Sequence, residues 1–275
     1  MPHPIDCRNG LAALPAVLLD RLRQADEVLV LTGAGVSAES GIATFREALT
    51  GLWARFDPAQ LATAEAFLED PVRVWSWYEG RRAQVLAAQP NPAHRALAQW
   101  GDRHDRLHLV TQNVDDLHER AGSRAVIHLH GSLHAPRCFE CARPLTAPAL
   151  PEGTEQLVAP PRCPACGGLA RPGVVWFGES LPETALTSAW ALAERCDLCL
   201  VVGTSGLVQP AASLPGVARQ QGATVVRIDP QPAADFNDDW QLLGAAGVIL
   251  PALLERLQAL SAAPDRRSPG HPGCA

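Results

Sequence analysis

Lysine is missing altogether: all 23 basic residues are arginine, so no part of the chain can be modified on a lysine amine. There is one tyrosine and one methionine. No basic run occurs and the net charge is -6, which argues against nucleic acid as a main partner. No stretch approaches the ~18 continuous apolar residues of a membrane span, so no membrane association is expected. The opening MPHPIDCRNG lacks the basic-then-apolar order of a secretory signal. Eight cysteines without an export signal favour thiols and metal over disulfides. We therefore expect a cytoplasmic protein, acting as a monomer.

What is present suits a folded protein: 275 residues, 47% hydrophobic and 19% charged. Leu11 to Ala25 has helical spacing, and Val28 to Leu31 is a short apolar run ending in Thr32-Gly33. Further apolar runs occur at Leu107–Val110, Val126–Leu129, Gly173–Trp176, Leu198–Val202, Thr224–Ile228 and Val248–Leu250. Helical patterns lie between them at Asp115–Ala121, Glu183–Glu194, Pro210–Gln220 and Pro251–Ala259. Strands alternating with helices predict an α/β fold, a Rossmann-like doubly wound parallel sheet. This domain takes residues 11–57, 101–136 and 171–260. Two insertions break the alternation, an all-helical stretch over 58–100 and a Pro-, Gly- and Cys-rich stretch over 137–170. They are expected to form a smaller domain together. Residues 261–275 lack core formers and read as a disordered tail.

Gly33-Ala34-Gly35-Val36-Ser37-Ala38 follows the first strand in the G-x-G-x-x-G/A arrangement, where glycines let backbone amides approach a pyrophosphate. Alone this motif is weak, and the acidic residue usual about twenty positions later is missing. An ordinary dehydrogenase is disfavoured. Cys138-x2-Cys141 and Cys163-x2-Cys166, separated by 21 residues, match a four-thiolate zinc ribbon. No open position adjoins them, so the zinc is structural, contributing on the order of 10 kcal/mol to a region with little core. Cys196-x2-Cys199 leads into a buried strand, where residues three apart face opposite ways, and both read as buried thiols. The block TQNVDDLHERAGSRAVIHLHG, 111–131, sets Gln112, Asn113, Asp115, Asp116, His118, His128 and His130 on an apolar framework. Burying so many polar groups is costly unless they bind something.

GAGVS, GIATFR, TQNVDDLHERAG, LHG, the two Cys pairs, VVWFGE at 174–179, GTS at 203–205 and LLGAAGVILP occur in sirtuin order. Over about residues 14–260 the chain resembles a sirtuin, an NAD-dependent protein-lysine deacylase. The resemblance implies that an acyl-lysine oxygen captures the ribose carbon of NAD as nicotinamide leaves, yielding O-acyl-ADP-ribose. His130 would then be the general base, with Asn113 beside it in the catalytic pair. His suits that role because its ordinary pKa, about 6.5, lies near working pH. His128, on the same strand face, and His134 read as supporting groups. Gly33, Ala34, Gly35, Ser37, Gln112, Asn113 and Asp115 would hold the cofactor, with Phe45 and Arg46 on a loop closing over it. Gly203, Thr204, Ser205, Asp229 and Ala246 would take its phosphate and adenosine side. Asp229 replaces a common Asn, and its charge favours NAD over NADP. Ala43 stands where proline is common.

Tyr78 and Arg81 share a face of a helix predicted over Val72–Ala88. With Ala48 they resemble the class III sirtuins that remove succinyl and malonyl groups. Tyr78 and Arg81 would bind the distal carboxylate, with Arg81 and not Arg82 as the reader, while Ala48 leaves room. Val174, Phe177, Gly178 and Glu179 would take the acyl-lysine peptide as an added strand. ADP-ribosyl transfer to protein and a non-catalytic NAD sensor are the alternatives. The acyl pocket disfavours the first, and intact His130 and Asn113 disfavour the second.

Overall fold

The computed structural model describes residues 4–11, 14–43, 60–150, 157–233 and 239–262. Seven parallel strands form one sheet: β1 (Ile5–Asp6), β2 (Val28–Thr32), β3 (Leu107–Thr111), β4 (Ile127–His128), β7 (Leu198–Val202), β8 (Thr224–Asp229) and β9 (Trp240–Leu243). Their order is β1-β9-β8-β7-β2-β3-β4. An antiparallel pair, β5 (Gly131–Cys138) and β6 (Ala170–Val174), stands apart.

The central strands are apolar because both faces are covered. On β2, Val28 and Val30 enter one apolar layer while Leu29 and Leu31 enter the other, as a two-residue repeat requires. Leu198, Leu200 and Val202 of β7 join the first layer, and Cys199 and Val201 the second. Helices α1 (Ala16–Gln24), α5 (Pro92–Gly101) and α9 (Ala246–Ala262) supply the first layer; α7 (Glu183–Arg195) and α8 (Leu214–Gln220) supply the second. A third cluster joins α3 (Ala64–Glu69) and α4 (Pro71–Ala87) to Leu133, Val174 and Trp176 around β5 and β6. Two short helices, α2 (Gly35–Ala38) and α6 (Leu117–Arg120), follow β2 and β3.

Four expectations are revised. Val248–Leu250 is helix: Ile249, Leu250, Leu253, Leu254 and Leu257 bury one face of α9 straight through Pro251. A short apolar run cannot by itself separate strand from helix. The last strand is β9, whose buried Gln241 hides it from a hydrophobic reading. Gly173–Trp176 belongs with β6 in the small sheet and not in the parallel one. Within the stretch 58–100, α5 packs Ala93, Ala96, Leu97 and Trp100 against the large sheet's first layer. Cys196 caps the C-terminus of α7 and does not lie on the strand, so both it and Cys199 face the same layer. Burial pushes the Cys196 thiol up to about 11. No helix among the described residues is long and apolar enough to cross a membrane.

Candidate active site

The site grows from the carboxyl ends of β2, β3 and β7. Gly33 N donates to Val202 O at 3.0 Å, and Gly35 N donates to Gly203 O at 2.8 Å. A Cβ on Gly35 would lie 2.7 Å from Gly203 Cα, and one on Gly33 would lie 2.7 Å from Thr204 Cβ. Gly203 has φ +58°, where a side chain would be strained. These glycines are therefore required by loop-to-loop contact, which sets Ala34 and Ser37 beside the end of β3. Gln112 ties the third loop in, its Nε2 donating to Thr204 Oγ1 at 2.9 Å.

Beneath the loops lies a buried polar network. Ser37 Oγ donates to Asp115 Oδ2 at 3.0 Å and accepts from Asn113 Nδ2 at 3.0 Å, with His94 Nε2 at 3.4 Å. Thr32 Oγ1 donates to Thr111 Oγ1 at 2.8 Å and meets His118 Nε2 at 3.0 Å. The Asn113 amide donates to Thr111 Oγ1 at 3.0 Å. The His94 and His118 rings stand edge to face, 4.8 Å apart. Burial first, then the Arg95 charge, lowers the pKa of His94 to about 4. Burial, with the charges of His94 and His128, pushes His118 well below the usual range. Burial also raises Asp115, against the bonds it accepts from Leu117 N and Ser37.

A cavity of about 290 Å³ opens above this network. Ala34, Ser37, Gln112, Asn113, Asp115 and His130 line one side; Trp77, Tyr78, Arg81 and Val85 of α4 line the other, with Val174 to Glu179 between. The His130 Nδ1 hydrogen goes to Gln112 O at 2.9 Å, since a carbonyl can only accept, and Nε2 carries the lone pair. Burial lowers the pKa of His130 against that bond. Across the cavity, Arg81 Nη1 donates to Ala43 O at 3.1 Å, and its guanidinium lies 5.6 Å from the Trp77 ring centre. Among the described residues no carboxylate lies within ion-pair distance of Arg81. Arg82, one residue on, is buried and paired with Glu79 at 2.5 and 3.0 Å, its Nη2 also donating to Pro148 O at 2.8 Å.

Four thiols gather at the tip of β5 and the approach to β6. The Sγ atoms of Cys138, Cys141, Cys163 and Cys166 all lie within 4.8 Å of one another. Cys138 and Cys166 are 3.4 Å apart and Cys141 and Cys163 are 3.9 Å apart. A tetrahedron of Zn–S bonds near 2.3 Å spaces its sulfurs by about 3.8 Å, so the set fits zinc. Turns at Ala142 (φ 57°) and Gly167 (φ 78°) shape the two knuckles.

Of the residues singled out in the sequence, Gly33, Gly35, Gly203 and Thr204 meet behind the cavity. Ser205, Asp229 and Ala246 lie off it, Asp229 at the end of β8 and Ala246 buried at the start of α9. Phe45, Arg46 and Ala48 fall outside the described residues. Trp176 is buried in the small cluster while Phe177 is 53% exposed at the cavity wall. Glu179 borders the cavity, yet its oxygens are held by Arg171 at 2.5 and 2.9 Å and by the Trp176 amide at 2.9 Å. It braces the turn. Sequence reasoning missed His94, which closes a capping box with Asn91 at the start of α5. An Asn before a Pro, as at Asn91-Pro92, is a helix-start signal that could have found it.

The Sir2 family model matches residues 33–210. An NAD-dependent protein deacylase 1 of Pseudomonas aeruginosa is 59% identical over 244 residues, covering 87% of this chain and 97% of that protein. An NAD-dependent protein deacylase of Methylococcus capsulatus is 54% identical over 245 residues, covering 88% and 96%. Among solved structures, a Sir2 homolog–NAD complex matches with TM-score 0.84 at 44% identity, over 94% of this chain and 98% of that one. Sir2Af2 bound to a myristoylated histone peptide matches with TM-score 0.73 at 33% identity, over 89% and 96%. The matched segment spans all three site loops and both Cys pairs, and the relatives match over nearly their full length: the chain belongs to the Sir2 family.

Proposed function

We propose that this chain is an NAD-dependent protein deacylase that removes succinyl and malonyl groups from lysine, and acetyl groups as well. Its products would be nicotinamide and O-acyl-ADP-ribose. Family membership and relatives named as NAD-dependent protein deacylases support the activity itself. The acidic acyl preference rests on one observation: Arg81 lines the cavity beside Tyr78 with no carboxylate partner among the described residues, while adjacent Arg82 is already paired with Glu79.

NAD, as co-substrate, supplies the ribose carbon that takes the acyl oxygen. The chain's own residues bind, orient and deprotonate. Ser37 holds the Asn113 amide nitrogen, which leaves the Asn113 side-chain oxygen to accept from the cofactor. His130, neutral near pH 7 because burial lowers its pKa, takes a proton on Nε2 from a ribose hydroxyl. Arg81 and the Tyr78 hydroxyl bind the distal carboxylate, where charge-assisted bonds contribute about 1.5–3 kcal/mol, roughly 10–150-fold in preference. The peptide backbone pairs along 174–179. The amides of Val175, Trp176, Phe177 and Glu179 already donate within the chain, so Val174 N–H and Gly178 N–H are the donors left for that pairing.

Incubation with a succinyl-lysine peptide and NAD tests the reading. O-succinyl-ADP-ribose and free peptide amine are expected; ADP-ribosylated protein, or no turnover, would overturn it.

A further inference from the structure

Three successive carbonyls of the loop after β3 are tied to the segment leading into β5. Gln112 O accepts from His130 Nδ1 at 2.9 Å, Asn113 O from His128 Nδ1 at 3.1 Å, and Val114 O from Leu133 N at 2.9 Å. The first bond sets the tautomer of His130 and the last is backbone pairing. The middle one has a different character. His128 Nε2 lies 2.6 Å from Glu119 Oε1. A carbonyl and an ionised carboxylate both only accept, so both ring nitrogens must carry hydrogen. Such a ring is an imidazolium.

We propose that His128 is a positioning residue: clamped as a cation between Glu119 and the Asn113 carbonyl, it fixes the backbone that presents Asn113, and loss of its proton sets the alkaline limb of turnover. The proposal rests on the deacylase reading, in which Asn113 holds the cofactor. The Asn113 side chain and amide are held by Ser37 and Thr111, so the carbonyl is its third tether. Neutral imidazole has one N–H and can keep only one of its two bonds.

The surroundings favour the cation. Helix α6 contributes Glu119 and Arg120, and Arg120 lies 3.6 Å from Asp116. The preceding loop contributes Asp115 and Asp116, and β5 contributes His134, 3.5 Å from Asp116. His118 behind is buried. On β3, His108 pairs with Glu27 at the far end. The charged residues of α7 are Glu183, Glu194 and Arg195, the last paired with Glu27. Burial opposes the charge on His128, but the bond to Glu119, its charge, the Asn113 carbonyl and the Asp115 charge outweigh it and raise the pKa. The two-sided clamp is thus complete below the ordinary imidazole range and gives up one of its two bonds as pH rises through the raised value.

The test is the pH profile of kcat/KM for NAD, at saturating succinyl-lysine peptide, for the parent, Glu119→Gln and His128→Asn. In Glu119→Gln the alkaline limb should move down by about half a pH unit or more, because the stabilising anion is gone, with the acid limb in place. In His128→Asn the limb should vanish and kcat/KM should fall roughly tenfold near neutral pH. An alkaline limb that stays put in both variants overturns the proposal. A second measurement needs no variant to fold. Nitrogen-15 NMR of the histidine-labelled full chain should show one imidazolium near pH 7 contacting Glu119, and a neutral ring there would equally overturn it. A parent that fails to turn over would count against the deacylase reading and leave the NMR result standing.

Discussion

The two walls of the cavity are built on opposite principles. On the sheet side, Ser37, Asn113, Asp115, Gln112 and His130 each have a partner within the chain, most of them buried. On the α4 side, Arg81 faces the cavity with one backbone acceptor and no carboxylate among the described residues. A saturated network holds its groups in one arrangement whatever the ligand. A half-buried cation with no carboxylate in ion-pair contact among the described residues, and only the more distant Asp115 charge across the cavity, is instead completed by a ligand. In the function proposed above, the first wall serves chemistry common to all acyl groups and the second chooses among them.

Removing the structural metal should separate the walls most strongly. The thiolate site braces the small domain, whose Phe139 and Leu169 pack on the cluster around α4. Stripping zinc with a strong chelator removes on the order of 10 kcal/mol of binding energy from that region. Loss of acyl-peptide binding is expected with NAD binding retained, read by calorimetry on each ligand; equal loss of both would break the distinction. Next, His130→Ala should lower turnover of succinyl and acetyl peptides alike, by about 10²–10⁴-fold. A loss confined to one acyl group would show that the sheet wall also selects. Because burial lowers its pKa, His130 stays neutral to below the ordinary imidazole range, and activity should fall only at more acid pH, as the ring protonates.

Arg82→Met tests the neighbour. Breaking a buried pair leaves Glu79 uncompensated, at about 3–5 kcal/mol of stability, so thermal melting should show a marked drop. The succinyl-to-acetyl ratio of the surviving enzyme should hold. The smallest effect concerns His94, buried and neutral. Its folded pKa, about 4, lies below the ordinary 6.5, so the stability of the neutral form is present above 6.5 and lost as pH falls through 4. This contributes about 3 kcal/mol to acid destabilisation. His94→Asn should flatten the melting temperature across that interval.

Much of this was legible in the chain. The central strands announced themselves as unbroken apolar runs because both faces are buried, and the paired Cys-x-x-Cys spacing anticipated a cluster that the fold closes to within 4.8 Å. The failures were local. Val248–Leu250 is too short to reveal its period, and β9 owes its place to pairing with β8, which hydrophobicity cannot report. His94 joins Ser37 from 57 residues away, through the capping turn of α5, a link no local pattern encodes. Spacing put Tyr78 and Arg81 on one face, but only packing shows that Arg82 is already ion-paired and that Arg81, among the described residues, is not.

The central claim is that Arg81 reads an acidic acyl group, and the most direct test compares kcat/KM for succinyl- and acetyl-lysine versions of one peptide in the parent and in Arg81→Met. The account predicts that the substitution lowers succinyl turnover by about tenfold or more while largely sparing acetyl turnover. An equal loss on both peptides would contradict it.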